Sequence, residues 1–340
     1  MSTVIEDQRG SLLQKIWEEH RGWVLTCAAL VISLAVWKVH GTETVFPKSW
    51  IEAFPFADKV NEFDKWIRPF IQPTTRAIGS GVTWFYELVV DWLTFTQWQI
   101  VFVILVLPAF AYGGLRLGLL AVFAVGSWLV LDMWDAAMET LSLMCISIAI
   151  SVMIGVLFGI MASQNDRFET IIKPILDTMQ TLPAFIYLIP AFYLFGLGAP
   201  GAILATVIYA LPPVVRLTNL GIRQVPAGID EAATSFGATQ IQSLVKVKIP
   251  MAMPAIKLGI NQTVMMALAL VVLATFIAAP GLGDIVLRGM MRLNVGKALE
   301  GGLAIVLMAI VLDRITNAMG QAEQASESRH DHVFRLFPQG

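Results

Sequence analysis

Long stretches without a charged side chain constrain the fold of this chain more than any other feature. A helix that crosses a membrane needs about 20 predominantly apolar residues. Four stretches contain no Asp, Glu, Lys or Arg: Trp92 to Leu115, Thr140 to Asn165, the residues between Asp177 and Arg216, and the residues between Lys257 and Asp284. They predict an all-α, polytopic helical membrane protein.

The low content of charged residues excludes several other classes of protein. Only 14% of the 340 residues are charged and 56% are hydrophobic, whereas a soluble domain carries about 25% charged residues. The formal net charge of −2 provides no basic surface for nucleic acid. Cys27 and Cys145 both lie in apolar stretches, so they predict neither a disulfide framework nor a metal cluster.

The stretch between Asp177 and Arg216 is too long for one helix. Residues 196–201, Gly-Leu-Gly-Ala-Pro-Gly, have the composition of a turn. We therefore interpret the stretch as two helices joined in a hairpin. Three weaker apolar segments raise the predicted total to about eight transmembrane helices: residues 22–39, 117–131 and 301–319.

The N-terminal region is predicted to differ from the rest of the chain. Residues 22–39 are interpreted as an uncleaved signal-anchor helix, because Trp37, Lys38 and His40 stand where a cleavage site requires small residues. Residues 50–71 mix aromatic and charged side chains at roughly helical spacing, which predicts an amphipathic helix. That helix either lies at the lipid surface or packs on the outside of the bundle.

Basic residues in the connecting segments predict the orientation of the spans. Residues 216–257 and 164–173 contain Lys and Arg, whereas residues 135–138 and 197–201 contain neither. The first two segments are therefore predicted to face the cytoplasm, together with both chain termini. Residues 41–97 are then predicted to lie outside.

The longest cytoplasmic connection contains the residues of a short exposed helix. Asp230 is predicted as its N-cap, and Glu231 suits the first turn because of the helix dipole. Ala232, Ala233 and Phe236 then form a small apolar face, in which the alanines let a partner approach and the ring protrudes. The alternative is a capped surface loop that contacts nothing.

A second short helix is predicted after this one. Gly237 permits the left-handed turn that ends the first helix. Thr239 and Gln242 have the spacing of a capping box at the start of the second. Pro250 is predicted to close that helix before the next span begins.

The spacing in this connection resembles the EAA loop of ABC-importer permeases. Glu231-Ala232-Ala233 is followed by three residues and Gly237, then by nine residues and Val247-Lys248-Ile249-Pro250. Four longer stretches resemble the permeases of glycine betaine/proline betaine importers: DTMQTLPAFIYLIPAFYLFGLG (177–198), ALPPVVRLTNLGIRQVP (210–226), GINQTVMMALALVV (259–272) and GLGDIVLRGMMRLN (281–294). The resemblance covers roughly residues 100–320.

The resemblance implies a type I, MetI-like transmembrane domain with a five-helix core. It places a multi-pass protein in the bacterial plasma membrane, which is the inner membrane of a Gram-negative cell. Four regions are expected: an N-terminal region at 1–97, two accessory transmembrane helices at 98–134, the permease core at 135–319 with its cytoplasmic EAA loop at 219–256, and a cytoplasmic tail at 320–340.

The resemblance also implies a transport complex in which this chain is not an enzyme. Its expected partners are a second permease copy in a homodimer, two ATP-binding subunits and an external substrate-binding protein. The partner ATPase is expected to bind ATP and Mg, and this chain no cofactor, because it has no G-x4-G-K-[ST] sequence. Seven residues are expected to couple it to the ATPase: Glu231, Ala232, Ala233, Phe236, Gly237, Ile249 and Pro250.

The implied substrate is glycine betaine, with proline betaine, choline, carnitine and trimethylamine N-oxide left open. Quaternary ammonium groups bind best against Trp faces, and residues 135–340 contain no Trp. We therefore expect selective recognition in the binding protein and a low-affinity path in this chain. Candidate path residues, for which ordinary helix packing is the alternative, are Phe185, Tyr187, Phe192, Tyr193, Asn261, Gln262, Met265 and Met266.

Asp284, Arg288 and Arg292 are predicted to form an external charged surface that contacts the docked binding protein. The competing function is an ion-coupled secondary carrier for small amines. Such a carrier requires acidic residues at the centre of its spans or inverted repeats, and the long uncharged stretches contain no such acid. A membrane-embedded enzyme is disfavoured, because all four histidines lie near the termini.

Overall fold

The computed structural model describes residues 22–38 and 55–335, with side chains as far as residue 318. These residues form helices and turns and contain no strand, which confirms the all-α prediction. The chain divides into two units, residues 1–68 and 69–340. The predictions for His40, for residues 1–21 and for most of the segment before α2 lie outside the described residues.

The first unit contains helix α1, Gly22–Lys38, and the beginning of helix α2, Phe56–Phe95. With 17 residues, α1 is short for a membrane span, although it is apolar. In α2, Arg68 pairs with Asp64 at 2.8 Å, one turn apart. From Phe56 onwards the predicted amphipathic segment is thus helical, and the helix continues to Phe95, so the next span begins later than Trp92.

Helix α3, Trp98–Val130, is broken at Gly114, whose φ of 68° and ψ of −168° are not helical. Across the break, a Cβ at Gly118 would lie 2.1 Å from a ring carbon of Phe110. Since eight residues of straight helix span about 12 Å, this contact shows that the two arms fold back on each other. The break falls between the two accessory helices predicted from the sequence.

The remaining elements form the core of the second unit. In chain order they are α4 Trp134–Gln164, α5 Asp166–Thr181, a 3₁₀ turn Ala184–Tyr187, α6 Leu188–Phe195, α7 Ala199–Arg223, α8 Ala227–Ser235, α9 Gln240–Ser243, a π turn Leu244–Lys248, α10 Ile249–Leu273, a 3₁₀ turn Ala274–Ile277, α11 Leu282–Met291 and α12 Val295–Arg335.

Five helices in the described part of the chain are long and apolar enough to cross a membrane, and a bent pair can serve as a sixth. They are Trp98–Val130, Trp134–Gln164, Ala199–Arg223, Gln240–Ile277 and Val295–Ala318, with the pair Asp166–Thr181 and Ala184–Phe195 bent by 112°. The predicted number of about eight is therefore loose. The prediction counted the bent pair as one complete span, the two arms of α3 as two spans and the short α1 as another.

Two segments predicted as loops are helical. Residues 164–173 contain the start of α5, where the Asn165 side chain caps the backbone N–H groups of Arg167 and Phe168 at 3.0 and 3.2 Å. Residues 135–138 form the first turn of α4. A continuous helix from Asp177 is also wrong, because Pro183 favours an extended conformation of the preceding residue and α5 ends there.

Helix α7 packs along both α4 and α10 and forms the centre of the core. Val214 fits between two glycines. A Cβ added at Gly155 would lie 2.1 Å from the Cγ1 atom of Val214, and a Cβ added at Gly259 would lie 3.0 Å from the Cα atom of Val214. Thr263 donates a hydrogen bond to the carbonyl of Ala210 at 3.0 Å. Small residues and interhelical hydrogen bonds of this kind hold membrane helices together, so α7 positions the residues at its two ends.

Candidate functional site

Helix α8 projects from one end of the core, which we call the α8 end. None of its residues is buried. The Phe236 side chain, which follows the helix, is 93% exposed. Gly237 has a φ of 83°, which permits the sharp turn into α9. The structure thus contains the two short helices that meet at Gly237.

The second short helix begins with the predicted capping box. The Thr239 hydroxyl accepts the N–H of Gln242 at 3.3 Å, and the Gln242 side chain accepts the N–H of Thr239 at 2.9 Å. Pro250, however, does not close this helix. It lies at the start of α10, where a missing N–H costs no hydrogen bond, so the chain runs through the π turn into the span.

The prediction of Asp230 as an N-cap is wrong, because α8 begins at Ala227 after Pro226. Its carboxylate instead accepts hydrogen bonds from Ser243 at 2.5 Å and Lys248 at 2.8 Å. The hydrogen bonds from Lys248 and then Ser243 hold the pKa of Asp230 below its usual value. This contact, the Asp230 clamp, joins the exposed helix to the base of α10.

The predicted coupling residues share this end of the molecule. Glu231 and Ala232 are exposed on α8 and Ala233 is half-buried beside them. Pro250 is exposed, but Ile249 packs against an apolar cluster around Ile222, Ala252 and Ile256. The exposed ring of Phe236 and the small side chains of α8 form a projecting surface, whereas Ile249 belongs to the apolar packing of the core.

A charged cluster that was not predicted from the sequence lies at the same end of the core. Arg223 at the end of α7 donates to Asp166 at 2.7 Å and to the carbonyl of Ala162 at 2.8 Å, and lies 3.1 Å from Glu169. Its neighbour Asn219 donates to Glu169 at 2.9 Å. The only sequence signal was the spacing of Asn219 and Arg223 by four residues, which places them on one helix face.

Glu169, Asn219 and Arg223 of this cluster line a pocket of about 220 Å³ between α5 and α7. Its walls are mainly apolar, from side chains such as Ile172, Leu176 and Val215, and its rim includes Lys173 and Arg216. Among the described residues, no group of three or more His, Cys, Asp or Glu is arranged to hold a metal ion.

The aromatic candidate path residues lie at and after the 112° bend that follows α5. Phe185 packs edge-on against Phe276 with ring centroids 5.5 Å apart, and 48% of its side chain is exposed. Phe192 and Tyr193 are similarly exposed. Tyr187 differs, because it is buried, packs against Tyr209 and donates its hydroxyl to the carbonyl of Met179.

The candidate residues of α10 lie on an element that also contacts the 3₁₀ turn Ala184–Tyr187. Asn261 uses its side chain for hydrogen bonds to Asn317 and Thr316 of α12, both at 2.9 Å. Gln262 and Met265 are exposed, whereas Met266 is half-buried. Asn261 therefore joins two helices through side chains, and not by bonding to nearby backbone.

The three predicted residues of the external surface lie on and just after α11, at the opposite end of the core. Asp284 and Arg288 pair with each other one turn apart, and Arg292 is exposed after the last turn. The first N–H of α11, from Leu282, donates to the Thr140 hydroxyl of α4 at 2.8 Å. This bond fixes the start of α11 against the core.

Comparison with known proteins identifies relatives over most of the chain. The family model described as "Binding-protein-dependent transport system inner membrane component" matches residues 151–322. The glycine betaine/proline betaine transport system permease protein ProW of Escherichia coli is 40% identical over 278 residues, covering 81% of this chain and 78% of ProW. The glycine betaine transport system permease protein OpuAB of Bacillus subtilis is 41% identical, covering 77% of this chain and 93% of OpuAB.

A third relative and a solved structure agree with these. The glycine betaine/carnitine transport permease protein GbuB of Listeria monocytogenes is 41% identical, covering 80% of this chain and 95% of GbuB. A chain of the inward-facing MetNI methionine ABC transporter superposes with a TM-score of 0.50 at 21% identity, covering 54% of this chain and 92% of that chain. The latter similarity concerns the fold alone.

Proposed function

Because this chain belongs to the inner-membrane components of binding-protein-dependent transport systems, we propose that it forms the path by which an ABC importer takes up glycine betaine or a related quaternary or methylated amine. It is a multi-pass protein of the inner membrane and a transport subunit, not an enzyme. Its family implies an ATPase and a substrate-binding protein as partners.

The names of the relatives support the class of substrate. The three relatives described above, each at least 40% identical, carry glycine betaine in their names, and one of them also carries carnitine. A trimethylamine N-oxide permease, TmoV of Ruegeria pomeroyi, is 37% identical, although this match covers only 34% of its length. Proline betaine, choline, carnitine and trimethylamine N-oxide therefore belong to the range to be tested.

The single observation that carries the mechanism is the projecting helix α8. An exposed helix with the EAA spacing, ending at the bare ring of Phe236, suits insertion into a groove of another protein. In our proposal the α8 end faces the cytoplasm, and Glu231, Ala232, Ala233, Phe236 and Gly237 contact the ATPase. ATP and Mg bind there, because this chain has no phosphate-binding Gly-Lys motif.

The proposed assembly contains two identical permease subunits, two ATPases and one external binding protein. Half-exposed aromatic side chains around the bend, Phe185, Phe192 and Tyr193, support a path at the face between the two permeases. Together with Gln262 and Met265 they would offer weak contacts to a methylated cation. ATP binding would then favour the permease conformation with which the ATP-bound ATPase makes the stronger contacts. This follows because a ligand shifts a conformational equilibrium only through its differential affinity for the two states.

The test is reconstitution of the complete complex in liposomes with labelled glycine betaine. We expect uptake that requires ATP, the ATPase and the binding protein, and that persists when a protonophore collapses the proton gradient. Uptake by this chain alone that a protonophore abolishes would instead identify the ion-coupled carrier. Competition by the other four amines at the binding protein would define the substrate range.

A further inference from the structure

A row of polar and charged side chains joins α5 to α7 and forms what we call the α5–α7 seam. Its α7 members, Arg216, Asn219 and Arg223, are spaced by three and four residues and so share one helix face. Its α5 members are Asp166, Glu169 and Asp177. Asp166 and Glu169 meet Arg223, and Asp177 meets Arg216, so the two helices run in opposite directions along the seam.

Arg223 is the centre of the seam because one guanidinium contacts three helices. Its Nη2 atom donates to the carbonyl of Ala162 in α4 at 2.8 Å and to Asp166 in α5 at 2.7 Å, while its Nε donates to Asn219 in α7 at 3.0 Å. Glu169 lies 3.1 Å away. The side chains of Arg223 and Glu169 are each only 32% exposed.

We expect the seam to be stiffer than a set of separate surface ion pairs. Isolated exposed pairs contribute little, but here Glu169 accepts a hydrogen bond from Asn219 and forms an ion pair with Arg223, so these contacts form one network. The rigid fork of arginine fixes the angles between its partners. Beneath the network, Ile172 and Leu176 of α5 pack against Val215 of α7.

The seam connects two parts of the chain to which the proposed function gives different tasks. Arg223 is the last residue of α7, and α8 begins at Ala227. At its other end α5 is followed by the 112° bend and the aromatic residues around it. The seam therefore lies between the surface proposed to contact the ATPase and the segment proposed to line the path.

We propose that the α5–α7 seam makes α5 follow the movement of α8, so that the closing ATPase repositions the aromatic segment, with Arg223 as the positioning residue. This inference rests on the proposed function. It requires α5 and the end of α7 to move as one body during transport. Arg223 acts through Glu169 and Asp166 and touches neither substrate nor nucleotide.

The first test measures the amine imported per ATP hydrolysed by the complete complex in liposomes. We expect Arg223→Met to lower this ratio about tenfold, a typical size for coupling between sites, while ATP hydrolysis continues. Arg223→Lys should keep part of the ratio, and Glu169→Gln should lower it without removing Arg223. Lys173→Met is the matched control, because Lys173 lines the same pocket but forms no ion pair among the described residues.

The second test fixes the seam covalently. Asp177→Cys with Arg216→Cys, in a chain whose Cys27 and Cys145 are replaced by serine, is treated with a short bis-maleimide. We expect the cross-linked complex to import at least half as fast as the untreated one, since the two helices need not separate. Loss of import on cross-linking would overturn the proposal.

The outcomes separate this inference from the proposed function. If the wild-type complex imports no amine with ATP, the proposed function fails. If it does import, but Arg223→Met and Glu169→Gln keep the normal ratio, only the seam proposal fails. Equal losses of assembly, ATP hydrolysis and import would make the seam merely structural and would likewise overturn the proposal.

Discussion

Asp230 helps to hold the exposed helix α8 in place. Its carboxylate receives hydrogen bonds from Ser243 and Lys248, and these bonds lower its pKa. A carboxyl group of this kind contributes stability above its unfolded pKa of about 3.9 and loses it only as the pH falls through the lower folded value. The Asp230 clamp is therefore fully charged throughout the neutral range.

We predict that Asp230→Asn lowers ATP-driven uptake about fivefold, because the neutral amide loses the charge attraction to Lys248. Between about pH 5 and pH 8 the profiles of variant and wild type should be parallel, since the carboxylate stays ionised there. Uptake into liposomes at a series of pH values measures this. Glu300→Gln, which removes a half-exposed carboxylate paired with Lys297, is the control. Profiles that diverge within this range would contradict the clamp.

At the scale of a single element, α8 depends on the turn that follows it. Gly237 has a φ of 83°, whereas proline is locked near −65°. We predict that Gly237→Pro, and separately Glu231→Lys, reduce uptake per ATP about tenfold without unfolding the spans. Substrate-stimulated ATP hydrolysis and uptake are measured together, with helical content by circular dichroism.

The control is Gly302→Ala in α12, where an added Cβ meets no atom within 4 Å. Normal substrate-stimulated ATP hydrolysis and uptake in both α8 variants would count against contact with the ATPase.

Elements whose ends depend on local chemistry were predictable from sequence. The turn at Gly196 and Gly198, the turn at Gly237 and the capping box of Thr239 each rest on residues within a few positions of one another. The periodicity of apolar residues likewise sufficed for the core spans. Local signals of this kind do not require knowledge of the tertiary structure.

Elements that depend on distant partners were not predictable in this way. The start of α5 contains four charged residues in its first eight and resembles a loop, but it is held by Arg223, which follows 57 residues after Asp166. Asp230 has the intrinsic preference of an N-cap, yet α8 begins three residues earlier, at Ala227 after Pro226, and Lys248 pairs with the carboxylate. The function of the path residues is likewise not visible in one sequence.

For the whole molecule, the two ends of the core present different chemistry. The α8 end carries the exposed helix and the seam, while the opposite end carries α11 with Asp284, Arg288 and Arg292. A charged and exposed surface of that kind is suited to steering a partner, because it raises the association rate more than the affinity.

We predict that Arg292→Glu weakens docking of the external binding protein about tenfold at low salt, an effect that shrinks as salt screens the charges. Arg288→Asp combined with Asp284→Arg restores the local ion pair while it exchanges the two charges, which separates docking from the stability of α11. Titration of the binding protein against the complex in nanodiscs measures both. Docking and uptake unchanged in Arg292→Glu would remove α11 from the interface.

The bare ring of Phe236 also has a consequence for how the subunit is made. An aromatic side chain that is 93% exposed leaves apolar area in water until another surface covers it. In the proposed complex the ATPase covers this ring, so we expect a cell that produces this chain in excess of its partners to accumulate copies with the ring uncovered. Such copies would be open to proteases and to wrong pairings. Balanced synthesis of the subunits, in the same place and at the same time, is thus an expected requirement of this architecture.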